Sequence, residues 1–332
     1  MQKWAIFILV MITIGIFLCS FQIKKVDLNS VSMKIDETTC IKGICAVVIV
    51  LDHMGLQLST PIVLKPFTMV GYLCVSIFFF FSGYGLWGGI SNKKGYLNNF
   101  LQKKMVKLLC PVVLAKILYG TFFHSKIMYS WYIYVICGLY VLLYCSCKWL
   151  SRFDALKAIA GGILLYQVSC FAFSVPVVWY RACWPFFIGC LLYQFKAEFD
   201  GIIINQWKNF MILDGAIFVL AFLMAALADK FNIKPVELET LITVLFYIIS
   251  SIAFVLWVYG FTFCISMTKA GNILRKVGNV SYEIYLIHGL AFLTMAQIKK
   301  EILYPYLVMA ATFLFAECLH MLSQGILKKM PR

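Results

Sequence analysis

The chain has 332 residues, of which 63% are hydrophobic and 13% charged, and its mean hydropathy is +0.90. This composition excludes a water-soluble globular domain, because too few polar side chains remain to cover its surface. The formal net charge of +15 is spread through short segments between apolar runs. That distribution favours a membrane protein and argues against a nucleic-acid partner.

Apolar windows of about 20 residues, the length that crosses a bilayer as a helix, recur along the whole chain. They are too long and continuous for barrel strands, and only helices or closed barrels satisfy their backbone polar groups in lipid. The sequence therefore predicts an all-α polytopic transmembrane bundle. In chain order the eleven predicted spans cover residues 4–21, 41–57, 66–87, 105–122, 129–147, 157–174, 181–195, 208–228, 240–267, 280–298 and 303–323.

The basic residues predict the orientation of these spans. Of the 29 Lys and Arg, 19 lie in or beside the segments after the odd-numbered spans, and 8 lie in the other set. Because cytoplasmic loops carry the excess of Lys and Arg, the N-terminus is predicted to be outside and the C-terminus inside. The first apolar run, within residues 1–30, is either a retained helix or a secretory signal. Its length and the lack of a small-residue cleavage site favour a retained helix.

The segment IKGICAVVIVLDHMG, residues 41–55, places ionisable groups in an otherwise aliphatic span. The eleven steps from Lys42 to His53 make three helical turns plus about 20°, so both side chains share one face, about 16 Å apart. The span limits place Lys42 at the cytoplasmic boundary and His53 in the membrane interior. Asp52 points about 100° away and either pairs elsewhere or faces water. Ionisable groups are costly in a membrane, so this face is a candidate site, although an anchoring lysine and a structural histidine are the alternative.

Further motifs carry polar residues into apolar segments. VSYEIYLIHGL places Ser281, Tyr285 and His288 on one helix face. His124 and His320 have no motif around them and are expected at helix ends. The remaining motif residues are Ser82 and Gly83 in IFFFFSGYGL, Lys103, Lys104 and Lys107 before Pro111, Trp131 in YSWYIYV, and Arg181 in WYRACWPFF.

The order of these motifs resembles the acyltransferase 3 family of bacterial membrane acyltransferases. The first core helix of that family carries Arg-x10-His, and Lys42 and His53 reproduce the spacing with Lys in place of Arg. Lysine keeps the charge but loses the planar fork of arginine. The resemblance covers roughly residues 36–325 and implies an N-terminal helix in 1–30 and an acyltransferase domain in 31–332. The other matching residues are Phe79, Phe80, Ser82, Gly83, the basic cluster before Pro111, Trp131, Ser281, Tyr285, Leu286 and His288.

The resemblance implies transfer of an acetyl or larger acyl group from cytoplasmic acetyl-CoA to a hydroxyl of a cell-envelope or exported carbohydrate. His53 is then either the base or a transient acyl carrier, Ser82 a donor to the reacting carbonyl, and His288 either a proton relay or an orienting group. The candidate acetyl-CoA ligands are Lys42, Lys103, Lys104 and Lys107, and the candidate acceptor ligands are Trp131, Tyr285 and Arg181.

Acetyl-CoA is expected as a substrate, with no metal, and the partners are membrane lipid and a carbohydrate, at a bacterial plasma membrane. A transporter or exporter is the alternative function, because polytopic bundles with buried charges are often carriers. The sequence shows no inverted repeat that would favour it. A scaffold or sensor would have little use for a histidine within the membrane.

Overall fold

The computed structural model describes residues 2–59, 61–228 and 236–329. The helices are α1 (Gln2–Cys19), α2 (Ile35–Gln57), α3 (Lys65–Asn92), α4 (Phe100–Phe123), α5 (Trp131–Trp149), α6 (Arg152–Ala172), α7 (Trp184–Gln194), α8 (Lys196–Asn205), α9 (Trp207–Leu227), α10 (Val236–Phe261), α11 (Gly271–Asn279), α12 (Ser281–Thr294) and α13 (Tyr304–Lys329). Short 3-10 helices cover Val177–Trp179 and Ala296–Ile298, and the strands are β1 (Phe21–Ile23) and β2 (Ile265–Met267).

This architecture confirms the predicted all-α polytopic bundle. Nine helices in the described part of the chain are long and apolar enough to cross a membrane. The other two predicted spans correspond to α7 and α12, which have 11 and 14 residues. Large apolar side chains on α9 are exposed, among them Ile212, Leu213 and Leu220, as expected for a helix that faces lipid.

Several boundaries differ from the prediction because an apolar window does not detect polar helical turns. The helix α2 begins at Ile35, with Asp36 and Glu37 in its first turn, so Lys42 is its eighth residue and not at its end. The predicted span 240–267 includes β2, which is a strand. The helices α8 and α11 were not predicted. The outer loop predicted before the ninth span falls largely on residues 229–235, outside the described residues.

Two close helix contacts form the centre of the bundle. A Cβ atom added to Gly43 of α2 would lie 2.0 Å from the carbonyl oxygen of Leu274 in α11, and one at Gly83 of α3 would lie 2.0 Å from that of Phe186 in α7. The backbones therefore touch, as small residues allow in membrane bundles. These contacts fix α2 against α11 and α3 against α7, and the candidate site lies on α2, α3 and the neighbouring α12.

The N-terminal helix α1 is attached to this bundle at both of its ends. Its first residue, Gln2, donates a side-chain hydrogen bond of 2.6 Å to the carbonyl oxygen of Lys299. After its last turn, β1 pairs antiparallel with β2, with Phe21 opposite Met267. The Tyr306 hydroxyl of α13 donates to the carbonyl oxygen of Ala5 at 2.8 Å. These contacts give α1 a defined position beside α13.

The segment between β1 and α2 is fixed at one end of the bundle by a partly buried polar cluster. The Lys196 ammonium donates to the Ser32 hydroxyl at 2.9 Å and also contacts the Asp200 carboxylate. The Tyr259 hydroxyl donates to that same carboxylate. The end of α3 is close to the end of α7, since the Trp87 indole donates to Gln194 at 3.0 Å. The segments after α1, α3, α7 and α10 thus lie at one end, the end that the basic residues predict to be cytoplasmic.

This orientation predicts the pattern of cysteine labelling in intact cells. We expect Asn98→Cys and Lys269→Cys, introduced into a variant without the thirteen native cysteines, to remain unlabelled by an impermeant thiol reagent. Lys126→Cys, at the opposite end of α4 from Asn98, should be labelled, and all three positions are exposed. Labelling of Asn98→Cys but not Lys126→Cys would reverse the orientation and move the predicted donor side to the exterior.

Candidate active site

Two of the predicted catalytic residues meet in the structure. His53 in α2 and His288 in α12 are 235 positions apart in sequence, and their Nδ1 and Nε2 atoms are 2.7 Å apart. Their rings are nearly parallel and meet edge to edge, with centroids 4.8 Å apart and an angle of 10° between the planes. His288 is fully buried, whereas His53 is half-buried. The two helices therefore bring one inaccessible and one partly accessible imidazole into direct contact.

The hydrogen bonds determine which nitrogen of each neutral ring carries the proton. The Nδ1 atom of His288 lies 3.2 Å from the backbone carbonyl oxygen of Ile284, which can only accept, so His288 donates from Nδ1. Its Nε2 atom must then accept from Nδ1 of His53. The remaining lone pair is on Nε2 of His53. The arrangement thus prepares Nε2 of His53 to accept a proton, with His288 as its orienting partner.

Tyr129 completes this group and was not predicted. Its ring stacks on His53 with centroids 3.7 Å apart and 3° between the planes. Gln57 donates to its hydroxyl at 3.3 Å, and burial raises the pKa of Tyr129, so its phenol stays protonated. Gln57 lies four residues after His53, a helical spacing that could have indicated the shared face. Nothing in the sequence around Tyr129, between α4 and α5, indicates its position over the histidine.

A cavity of about 320 Å³ lies between helices on the predicted cytoplasmic side of the histidine pair. It brings together three predicted site residues, Lys42, Ser82 and Tyr285. Its full lining is Lys42, Phe78, Phe81, Ser82, Leu108, Tyr132, Ile136, Tyr140, Gly278, Asn279, Ser281, Tyr282 and Tyr285. The residues come from α2, α3, α4, α5, α11 and α12, so the cavity exists only in the assembled bundle.

Among the residues that the structure describes, Lys42 is the one charged residue that lines this cavity. The contact of Gly43 with α11 brings the neighbouring Lys42 close to Gly278 and Asn279. Within the described part of the chain, no carboxylate lies within 4.0 Å of its ammonium group. The cavity therefore combines one unneutralised positive charge with mostly apolar and aromatic walls. It suits a ligand that has an anionic or strongly polar part.

A layer of tyrosines separates this cavity from the histidine pair. The rings of Tyr132 and Tyr285, which line the cavity, have centroids 5.1 Å apart. The Tyr285 ring is 6.0 Å from that of His288, and its hydroxyl donates to the backbone carbonyl oxygen of Tyr129. Tyr285 thus touches both regions, and a substrate that connects them has to pass these rings.

The other predicted donor ligands lie further out. Lys103 and Lys107 are exposed on the first turns of α4, and the ammonium of Lys104 lies 5.3 Å from the centre of the Tyr96 ring. Leu108, next to Lys107, lines the cavity. Trp131 does not line it, because its ring packs edge to face on Tyr132 with centroids 6.3 Å apart. Tyr132, one residue later, lies against the cavity instead.

Arg181 lies toward the predicted outer end of α3, away from the cytoplasmic side of the cavity. Its guanidinium carbon is 5.0 Å from the centre of the Tyr72 ring and 4.8 Å from that of Tyr247. Asp52, beside His53, places its carboxylate against the backbone of Gly71, the neighbour of Tyr72. Of the alternatives left open for Asp52, contact with another helix is the one observed, since its carboxylate faces α3.

The two histidines without a motif have different environments. His124 is the C-cap of α4, as expected for a helix end. The expectation for His320 was wrong: it lies within α13, where its Nδ1 atom is 2.8 Å from Oε1 of the buried Glu283. The helix continues beyond its apolar window, so the window misplaced the end.

Among the described residues no group of three or more His, Cys, Asp and Glu is arranged to hold a metal ion.

Comparison with known proteins identifies the family of this chain. No curated protein and no solved structure matches the chain. A family model described as an acyltransferase domain, that of the acyltransferase 3 family, matches residues 35–319. This match includes both histidines and the whole lining of the cavity. The chain therefore belongs to the acyltransferase 3 family and is a multi-pass membrane acyltransferase.

Proposed function

We propose that this protein is an O-acetyltransferase of a bacterial plasma membrane. It transfers an acetyl group from cytoplasmic acetyl-CoA to a hydroxyl of a cell-envelope or exported carbohydrate. The observation that carries the proposal is the His53–His288 pair, whose hydrogen bonds leave Nε2 of His53 as a free proton acceptor. Activation of a hydroxyl for attack on a thioester requires such a base.

In the proposed reaction, Nε2 of His53 takes the proton of the sugar hydroxyl, and the oxygen of that hydroxyl attacks the thioester carbonyl carbon. The new carbon–oxygen bond forms, the carbon–sulfur bond breaks, and the CoA thiolate receives the proton from His53. Positive charge on His53 is spread through its hydrogen bond to His288, which keeps the ring oriented. The stacked Tyr129 has a protonated hydroxyl that can donate toward the developing oxyanion.

In this proposal acetyl-CoA, the acetyl donor, binds in the cavity. Lys42 supplies its charge, and α12 begins at Ser281 on the cavity wall, where the N-terminal partial charge of a helix favours negative groups. Ser82 on the same wall can donate to a carbonyl. The exposed Lys103 and Lys107 lie toward the cytoplasmic end, where CoA phosphates would arrive. The acyl group then extends past Tyr132 and Tyr285 toward His53.

The decisive experiment uses purified protein, acetyl-CoA with a radiolabelled acetyl group, and envelope glycan from cells that lack the gene. The glycan is first freed of esters with mild base. We expect label to appear in the glycan as a base-labile ester. Label that stays with CoA or appears as free acetate, with no glycan ester formed, would contradict the proposal.

Replacement of Lys42 should act mainly on the donor. We expect Lys42→Gln to raise the acetyl-CoA concentration for half-maximal rate about tenfold to a hundredfold, because a hydrogen bond or charge contact to an ionised group is lost. Lys42→Arg should retain the activity, since the charge remains. The measurement is initial rate against acetyl-CoA concentration at saturating glycan.

Lys116 provides a matched control, since it is an exposed lysine of α4 outside the cavity. Lys116→Gln should leave the acetyl-CoA requirement unchanged. A well-folded Lys42→Gln variant with the same acetyl-CoA requirement as the unchanged protein would remove Lys42 from the donor site.

A further inference from the structure

A second polar group lies beside the histidine pair on the predicted outer side. Asp52 precedes His53 in α2, and its Oδ2 atom would be 1.9 Å from a Cβ atom added to Gly71 of α3. The next residue of α3, Tyr72, forms one wall of a cage around Arg181, and Tyr247 of α10 forms the other. The carboxylate and the guanidinium therefore lie over adjacent residues of one helix.

The side chains of Asp52 and Arg181 do not form a direct ion pair. Among the described residues, no Lys, Arg or His nitrogen lies within 4.0 Å of the Asp52 carboxylate. Among the described residues, the buried Nε atom of Arg181 has no hydrogen-bond partner. Buried polar atoms normally have partners, so this unpaired atom, held over the residue next to the one that Asp52 contacts, indicates a place for a ligand.

The surroundings indicate the chemistry of that ligand. A carboxylate accepts hydrogen bonds and a guanidinium donates them, so together they match neighbouring hydroxyl groups, which do both. An anionic ligand would be repelled by Asp52, and a cationic one by Arg181. The rings of Tyr72 and Tyr247 meet edge to face, with centroids 4.9 Å apart, and together hold the Arg181 guanidinium in position.

The Tyr72 ring is fixed in place, because its hydroxyl makes a 2.8 Å hydrogen bond with Ser250 of α10. Arg181 is held over this ring in the segment between the Val177–Trp179 turn and α7. The group is therefore preformed by α2, α3, α10 and this segment, and it does not depend on the donor cavity.

We propose that Asp52 and Arg181 form the acceptor subsite, which binds adjacent hydroxyls of a neutral sugar unit and presents a further hydroxyl to His53. The position of Asp52 beside His53 in α2 makes the distance from subsite to base a fixed property of one helix. This inference rests on the proposed acyl transfer to carbohydrate and assigns the residues that recognise the acceptor. It gives α2 two functions, since its first half carries Lys42 at the donor cavity and its second half carries Asp52 at the acceptor subsite.

The test uses Asp52→Asn and Arg181→Lys, which keep the side-chain size, with the ester-free envelope glycan as the probe. We expect each variant to raise the glycan concentration for half-maximal rate about tenfold to a hundredfold, as for loss of hydrogen bonds to a charged group. The acetyl-CoA requirement should stay unchanged. Asp214→Asn is the matched control, because Asp214 is a buried aspartate on α9, outside this group, and should alter neither requirement.

A second measurement separates this inference from the proposed reaction. Without acetyl-CoA, the glycan should raise the melting temperature of the unchanged protein and of Asp214→Asn, but not of Asp52→Asn or Arg181→Lys. If that pattern is seen but no ester is formed, the reaction is wrong and the subsite stands. If ester forms and both variants keep the glycan requirement of the unchanged protein, the reaction stands and the subsite is wrong. Absence of both transfer and stabilisation would contradict both.

Discussion

His53→Ala is expected to abolish nearly all acetyl transfer while the protein still inserts and accumulates normally. Removal of a positioned general base typically costs about 10² to 10⁴ in rate, or about 3 to 5 kcal/mol of barrier. The substitution removes a polar group from the bundle interior and leaves no unpaired charge, so insertion should not suffer. His53 is half-buried, which also limits the cavity that alanine leaves behind. The measurement is glycan acetylation per unit of membrane-inserted protein.

A purely structural histidine would produce the opposite order of effects. Loss of the hydrogen bond to His288 and of the stack on Tyr129 would lower the amount or thermal stability of the protein, with activity per folded molecule nearly intact. His124→Asn serves as the control, because His124 caps α4 in a left-handed conformation that asparagine tolerates. Transfer by His53→Ala at the rate of this control would end the assignment of His53 as the base.

The sequence predicted the site residues that share a helix face, because helical spacing is a local property. Lys42 and His53 could be placed on one side of α2, and Ser281, Tyr285 and His288 on one side of α12, from spacing alone. Spacing does not tell how two helices meet. The contact of 2.7 Å between His53 and His288 depends on the packing of α12 against α2. The family resemblance suggested that both histidines belong to one site, but only the packed helices show which nitrogen is free.

Residues missed by the prediction lie where the packing of several segments decides the position. Tyr129 reaches His53 from a turn with a positive φ of 56°, which no apolar pattern reveals. Tyr132 replaces Trp131 at the cavity because one residue rotates the side chain by about 100° around α5. The predicted span at 280–298 placed the start of α12 correctly, but the helix α11 before it was missed, because its polar segment lies between two apolar windows. This helix brings Gly278 and Asn279 to the cavity wall.

His288→Ala is expected to lower the rate about tenfold to a hundredfold, less than His53→Ala, because His288 orients the base and does not take the proton itself. Without His288, Nδ1 of His53 loses its hydrogen-bond partner, so the proton of the neutral ring can move to Nε2. Nε2 is then occupied and cannot take the proton of the sugar hydroxyl. His288→Gln places an amide oxygen where Nε2 accepted the hydrogen bond and should restore much of the rate, whereas His288→Leu, which fills the space without an acceptor, should not.

His288 is fully buried, so both substitutions are expected to lower stability, and the rates must be compared per folded molecule. An orienting role predicts a lower maximal rate with unchanged requirements for acetyl-CoA and glycan. Equal rates for the Gln and Leu variants would show that His288 only fills space, and a loss as large as that of His53→Ala in all three variants would assign it a direct part in proton transfer.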